Sequence, residues 1–199
     1  MKKVIIKSPQ KRLVVLISGN GSNLQAIINA CENQSLNANV IAVISNNPDA
    51  YGLKRAKKHG IPQQLLEPFN PRAAYDAKLA EIVKSYQPDY IVLAGWLRIL
   101  SMNFLKEFPN QVINLHPALP EQFAGLNAIE RAFKAYQKGD ITKTGVMVHF
   151  VPDEGVDTGP VIKSESLEIK PDDTLETLEE KMHKLEHSLL IESLISLCH

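Results

Sequence analysis

The chain has 199 residues, and its 22 Lys and Arg are balanced by 22 Asp and Glu, for a formal net charge of zero. That length buries one good core and is short for two, and the lack of a basic field argues against nucleic acid or an anionic membrane surface as a partner. No apolar run is long enough to span a bilayer, the triplet Val4-Ile5-Ile6 is too short for a signal-peptide core, and Cys31 and Cys198 lie far apart without metal-ligand spacing, so the expectation is a cytoplasmic protein with free thiols.

Leu13-Val14-Val15-Leu16-Ile17 is a continuous apolar run, the pattern of a strand buried on both faces of a parallel sheet. It ends in Ser18-Gly19-Asn20-Gly21-Ser22-Asn23, and Leu24, Ile27, Ile28 and Cys31 follow at helical spacing. The Gly-rich turn therefore lies at a helix amino terminus, where free backbone N–H groups and the helix dipole favour an anion. The alternative is a tight strand-to-helix turn capped by Ser22 or Asn23. A dinucleotide site would need a third glycine where Leu24 stands and an acid at the tip of the next strand, but Val40-Ile41-Ala42-Val43-Ile44 runs into Ser45-Asn46-Asn47. A single phosphate fits better.

The alternation continues with a helix over 51–59 closed by Gly60, a short strand over 62–66, and a helix over 72–86 with Tyr75, Leu79, Ile82 and Val83 on its apolar face. A buried strand over 90–94 spills into Gly95-Trp96-Leu97-Arg98-Ile99-Leu100. An apolar rim around one arginine suits a flat aromatic ligand with an acidic tail, although Trp96 and Leu97 also suit plain core. A short helix over 102–108 leads to Gln111-Val112-Ile113-Asn114-Leu115-His116-Pro117. Side chains two apart on a strand share a face, so Asn114 and His116 project together about 6–7 Å apart, and Pro117 stops the ladder there. That is the end of an open α/β sheet where ligands bind.

Beyond an irregular loop over 117–124, a helix is expected over 125–138, ended by Gly139. Strands over 145–151 and 160–165 then follow with no helix between them. The connection, Pro152-Asp153-Glu154-Gly155-Val156-Asp157-Thr158-Gly159, is too long and too acidic for a minimal hairpin turn. An amphipathic helix over 175–197 carries Glu186 and His187. His183 and His187 are four apart but lack further ligands beyond Glu186, so no metal is expected and His183 reads as a surface residue. The whole is a single α/β domain over 12–199, a Rossmann-like, mostly parallel sheet flanked by helices with an antiparallel strand pair toward the carboxyl end. Residues 1–11 form a short appendage.

The segments Ser18 through Ile27, Leu93-Ala94-Gly95-Trp96-Leu97-Arg98-Ile99-Leu100, Asn114-Leu115-His116-Pro117, and His149-Phe150-Val151 through Asp157-Thr158-Gly159 together resemble the phosphoribosylglycinamide formyltransferases, folate-dependent enzymes of purine synthesis. The resemblance runs in order over nearly the whole chain and implies the formyltransferase fold. It implies that Asn114, His116 and Asp157 form the catalytic trio. It also implies that Gly21, Ser22 and Asn23 hold the phosphate of the ribonucleotide substrate, and Glu186 its ribose. Arg72 and Leu97, Arg98, Ile99 and Leu100 match contacts to 10-formyltetrahydrofolate, the co-substrate, and Asp153, Glu154, Gly155 and Val156 with Asp157 match the loop around its pterin. The implied partners are these small molecules, with the protein a monomer or homodimer.

The chain departs from the family pattern at several points. Ala118-Leu119-Pro120-Glu121 replaces the usual Ser-Leu-Leu-Pro, Ala124 stands where a proline is common, and Met147 stands where a small hydroxyl residue often occurs and has no assigned role. The 153–157 loop is one residue longer than in some members, and residues 1–11 precede the usual start.

The implied reaction is attack of an amine with a pKa near 8 on a formyl carbon, creating a tetrahedral centre with a negative oxygen. The Asn114 amide and a protonated His116 would donate to that oxygen. Asp157 would favour the protonated ring and receive, through water, the proton shed by the amine. Methionyl-tRNA formyltransferase and formyltetrahydrofolate deformylase share the same core. The first is expected to carry an extra basic RNA-binding domain, and the second an added amino-terminal domain and no need of a phosphate loop. A non-catalytic folate- or nucleotide-binding module is a further alternative, opposed by the joint presence of Asn114, His116 and Asp157.

Overall fold

The computed structural model describes residues 9–198. The expected appendage therefore lies outside the described residues except for 9–11, and Lys11 is already the first residue of β1 (Lys11–Ile17), paired with Ala38. Around β1 runs a seven-stranded sheet in the order β3-β2-β1-β4-β5-β6-β7. Its members are β2 (Ala38–Ser45), β3 (Gln63–Leu65), β4 (Tyr90–Leu93), β5 (Val112–His116), β6 (Lys143–Phe150) and β7 (Val161–Glu168). Strands β3 to β5 in that order are parallel, whereas β5–β6 and β6–β7 pair antiparallel. The expected architecture is thus present, and the antiparallel section extends one strand further inward, to β5.

The continuous apolar strands are explained by helices on both faces. Leu13, Val15 and Ile17 of β1 pack with Leu24 and Ile27 of α1 (Ser22–Glu32) and with Leu178, Met182 and Leu189 of α6 (Leu175–Leu197). Val14 and Leu16 point the other way, onto Tyr75, Leu79 and Val83 of α3 (Arg72–Ser85) and Phe104 of α4 (Met102–Leu105). Helix α2 (Tyr51–Lys58) adds Ala56 to the first face, and α5 (Ala128–Gln137) lays Ile129 and Phe133 against it. Helix α6 begins with a capping box in which Thr174 and Thr177 satisfy each other's backbone N–H groups.

Chain order places the site. From β1 the chain moves outward through β2 to β3, then returns to lay β4 on the other side of β1. The carboxyl ends of β1 and β4 therefore flank a crevice at the point where the strand order reverses, with β5 next to it.

Several element ends shift by one to three residues from expectation, β7 for example running on to Glu168, and the start of α5, the end of α4 and the cap of α1 are among the differences. Helix α5 starts at Ala128 rather than 125, because Gly125 and Asn127 adopt left-handed φ of 83° and 56° and keep the preceding segment out of the helix. Helix α4 closes at Leu105. Neither Ser22 nor Asn23 caps α1: the cap position is Gly21, at φ 74°, where no side chain bonds the first turn. A Cβ on Gly21 would lie 2.7 Å from Gly52 Cα, so the loop is pressed against α2 as only two glycines allow.

The β6–β7 pair is equally tight at Gly145, where a Cβ would meet Glu165 O at 2.2 Å and Leu119 Cδ2 at 2.5 Å. Gly145→Ala is expected to destabilise the protein by about 1–3 kcal/mol through overpacking, read as a lower urea midpoint at unchanged slope.

Candidate active site

Asn114 and His116 do project from one face of β5 at its carboxyl end, and both reach Asp157 of the β6–β7 connection. Asn114 Nδ2 donates to Asp157 Oδ1 at 3.0 Å, and His116 Nδ1 lies 3.2 Å from Asp157 Oδ2. The Gly125 N–H donates to the same Oδ2 at 2.8 Å. Asp157 is able to turn its carboxylate inward because it adopts φ 55°, a left-handed conformation that aspartate tolerates. Two residues on, Gly159 presses so close that a Cβ would fall 1.8 Å from Phe150 O.

The residue that sequence reasoning left without a role is His149. Antiparallel pairing sets it directly opposite Asn114, and it is buried. Its Nδ1 lies 2.9 Å from Phe150 O, and its Nε2 lies 3.2 Å from Asn114 Nδ2 and 3.5 Å from Asp157 Oδ1. Its signals in the sequence are a lone imidazole inside the apolar run 146–151 and its place in the His149-Phe150-Val151 segment of the family resemblance, neither of which assigns it a task.

The His116 ring is 4% exposed and meets an acceptor at each nitrogen, with the Phe123 carbonyl 3.2 Å from Nε2. Burial nevertheless pushes the imidazole below its ordinary value, against Asp157 and the Phe123 carbonyl, which raise it. The expected Asp157 carboxylate is in place beside the ring and favours its protonated form, with desolvation acting in the opposite sense. Burial acts to raise the Asp157 carboxyl, yet contact with His149, the Gly125 N–H and the charge of His116 outweigh it and hold the group below the usual carboxylate range.

All the predicted site residues except Gly21, Ser22 and Glu154 line one cavity of about 720 Å³. At one end Asn23 Nδ2 donates to Glu186 Oε2 at 3.0 Å, joining the first turn of α1 to α6. Gly21 and Ser22 sit beside Asn23 at the mouth, where the first amides of α1 have no intrahelical partner. At the other end Leu97 and Ile99 stand 65% and 48% exposed around Arg98, whose guanidinium stacks 4.7 Å from the Tyr75 ring centroid. An apolar slot with a cation at its floor fits a flat, acid-tailed ligand. Glu154 turns away from the cavity, pairing with Arg72 and accepting the Met102 N–H at 2.9 Å. Among the described residues no group of three or more His, Cys, Asp or Glu is gathered as a metal site, and no helix is long and apolar enough to cross a membrane.

Comparison with known proteins decides the lineage of this arrangement. Residues 11–194 match the family model described as formyl transferase. The chain belongs to the formyl transferase family. It is 48% identical over 197 residues to phosphoribosylglycinamide formyltransferase of Dictyostelium discoideum, covering 92% of this chain and 95% of that protein. It is 48% identical over 196 residues to the Schizosaccharomyces pombe protein of the same name, covering 92% and 94%. The crystal structure of phosphoribosylglycinamide formyltransferase from Bacillus halodurans superposes with a TM-score of 0.89 at 38% identity, covering 94% of this chain and 95% of that one.

Glu186 allows a thermodynamic check on the site. Burial raises its carboxyl above the ordinary value, against the Asn23 amide and His183, which favour the ionised form. The folded state therefore holds this proton more tightly than the unfolded chain, and the associated stability is full at low pH and lost as pH rises through the folded value. Glu186→Gln is expected to gain melting temperature relative to wild type as pH is raised from about 4 to 7. A difference that stays flat across that range would contradict the buried ionisation.

Proposed function

We infer that the protein transfers the formyl group of 10-formyltetrahydrofolate to the amine of 5'-phosphoribosylglycinamide, giving formylglycinamide ribonucleotide and tetrahydrofolate in de novo purine biosynthesis. The observation that carries this reading at the level of atoms is the convergence of Asn114 and His116 on Asp157, between a helix-terminus anion site and an apolar slot.

The folate supplies an electrophilic formyl carbonyl, and this chain's residues hold the two substrates on either side of it. Gly21, Ser22 and Asn23 offer backbone amides at the α1 terminus to the phosphate, and Glu186 accepts from the ribose hydroxyls. Arg72, Leu97, Arg98, Ile99 and Leu100 line the slot for the folate, and the loop closes over its ring through Asp153, Gly155 and Val156, with Glu154 held outside on Arg72 and the Met102 N–H. In the unliganded site the Asn114 amide is held by Asp157 and His149, and His116 Nε2 faces the Phe123 carbonyl, so each would exchange one of these contacts for the formyl oxygen as negative charge develops there; losing one such donor typically costs about 10²–10³ in rate.

Asp157 supports the His116 ring from Nδ1, so that the ring's proton affinity rises as that charge appears. The pair also takes up the proton released by the attacking amine and passes it toward the departing folate nitrogen. The working unit in this reading is the single domain over 12–199, a cytoplasmic monomer or homodimer acting on small molecules and not on nucleic acid.

Formyl transfer is measured with both substrates, beside a control without ribonucleotide and the variants His116→Ala and Asp157→Asn. The expected result is product only when both substrates are present, a loss of at least about 10²-fold with either variant, and ribonucleotide affinity of Asp157→Asn close to wild type. Folate turnover without ribonucleotide would instead identify a deformylase, and near-normal turnover by Asp157→Asn would refute its role.

A further inference from the structure

Arg131 of α5 lies outside the cavity wall, yet its guanidinium is built into the loop that carries the site. Nη2 donates to the carbonyl oxygens of Phe123 and Ala124, the second at 2.7 Å. The Phe123 oxygen is the same atom that faces His116 Nε2 at 3.2 Å. A carbonyl has two lone pairs, and here one serves α5 and the other the imidazole. The segment does not hold this shape by its own preferences: Glu121, Phe123 and Asn127 have φ of 65°, 46° and 56°, a region that bulky side chains avoid. The Phe123 ring also lies 6.0 Å from the guanidinium, so Arg131 grips both the main chain and the side chain of that residue.

We propose that Arg131 is a positioning residue for His116: by clamping the Phe123 and Ala124 carbonyls it fixes the imidazole with Nδ1 on Asp157 and Nε2 turned to the loop side of the reacting centre. The proposal rests on the reading of His116 as a group at that centre. Because the contact is made by a cation, it also bears on the ring's proton. The charged or titratable groups facing His116 are Asp157 from the β6–β7 connection, His149 from β6 and Arg131 from α5; Asp157 raises the proton affinity, and His149 and Arg131 lower it.

Two substitutions separate grip from charge. Arg131→Gln keeps an N–H donor near the carbonyls and removes the charge, whereas Arg131→Lys keeps the charge and loses the planar fork. The His116 ring is titrated by NMR in the unliganded protein, and kcat and KM are measured in the formyl-transfer assay. In Arg131→Gln the His116 midpoint is expected to rise, with kcat down about tenfold or more and the ribonucleotide KM little changed. In Arg131→Lys the midpoint is expected to stay in place while kcat falls. An unmoved midpoint in an Arg131→Gln protein that melts like wild type overturns the proposal. If that variant does not fold, wild-type kcat in Arg131→Lys overturns it. A wild type without turnover would overturn the functional reading alone, since the titration compares rings without substrate.

Discussion

The Asp157 carboxylate, largely withdrawn from water, is the contact on which the rest of the site depends. It accepts from the Asn114 amide of β5 and from the Gly125 N–H ahead of α5, and it faces the rings of His116 and His149. A carboxylate so withdrawn from water would be costly with fewer partners, and the four here come from three parts of the chain: β5, the segment ahead of α5, and β6. The shape of the β6–β7 connection follows from that demand. Asp157 takes a left-handed backbone to turn inward, Gly159 admits the close return of Phe150, and the Asp153 side chain accepts the Gly155 N–H at 2.8 Å to bend the outer half of the loop. One side chain thus joins the parallel half of the sheet to its antiparallel half at the open end.

The elements that place this carboxylate were legible to different degrees, for physical reasons. Residues 13–17, 40–44 and 90–94 announce buried parallel strands because both faces are covered, which leaves uninterrupted apolar runs. Asn114 and His116 were legible because period two puts them on one face and Pro117 ends the strand. His149 was not, since a single imidazole in an apolar strand looks like a satisfied core residue until pairing sets it opposite Asn114. Segment 118–127 was not legible either. Its conformation rests on left-handed residues and on a guanidinium from a later helix, neither of which leaves a periodic trace. Glu186 meets Asn23 across 163 residues of sequence, and only the family resemblance singled it out. The charge of Asp157 beside His116 is legible in the sequence, whereas the depth at which the ring is buried is not.

A net charge of zero conceals a local division of labour. At the proposed phosphate end the nearest arginine does not point into the loop but braces it from behind: Arg55 Nε donates to Asn20 O and Nη2 to Asn20 Oδ1, both at 3.0 Å, with the guanidinium stacked 4.9 Å from the Tyr51 ring centroid. Gly52 adds an N–H to Gly19 O at 3.1 Å. The loop is therefore shaped before any anion arrives, and the amides at the start of α1 do not have to be ordered by the ligand. Arg131 stands in the same relation to segment 118–127. In both places a cation on one helix fixes the backbone of a neighbouring loop, and the backbone presents itself to the pocket.

The two ends of the β6–β7 connection differ in how firmly they are held, and the difference suits their proposed tasks. Asp157 is half-buried, with its side chain largely withdrawn from water, and is multiply bonded, so its geometry is set by the protein before anything enters the pocket. Glu154, three residues earlier, is exposed, and its ion pair with exposed Arg72 is of the kind that contributes little in water. An acidic ligand tail reaching Arg72 would compete with a carboxylate whose release is cheap, and the Met102 N–H at the start of α4 would still be there to receive Glu154. The same short segment can therefore keep its reacting end rigid while its outer end exchanges partners. The change in water exposure along the loop, more than any flexibility in its sequence, sets where that boundary falls.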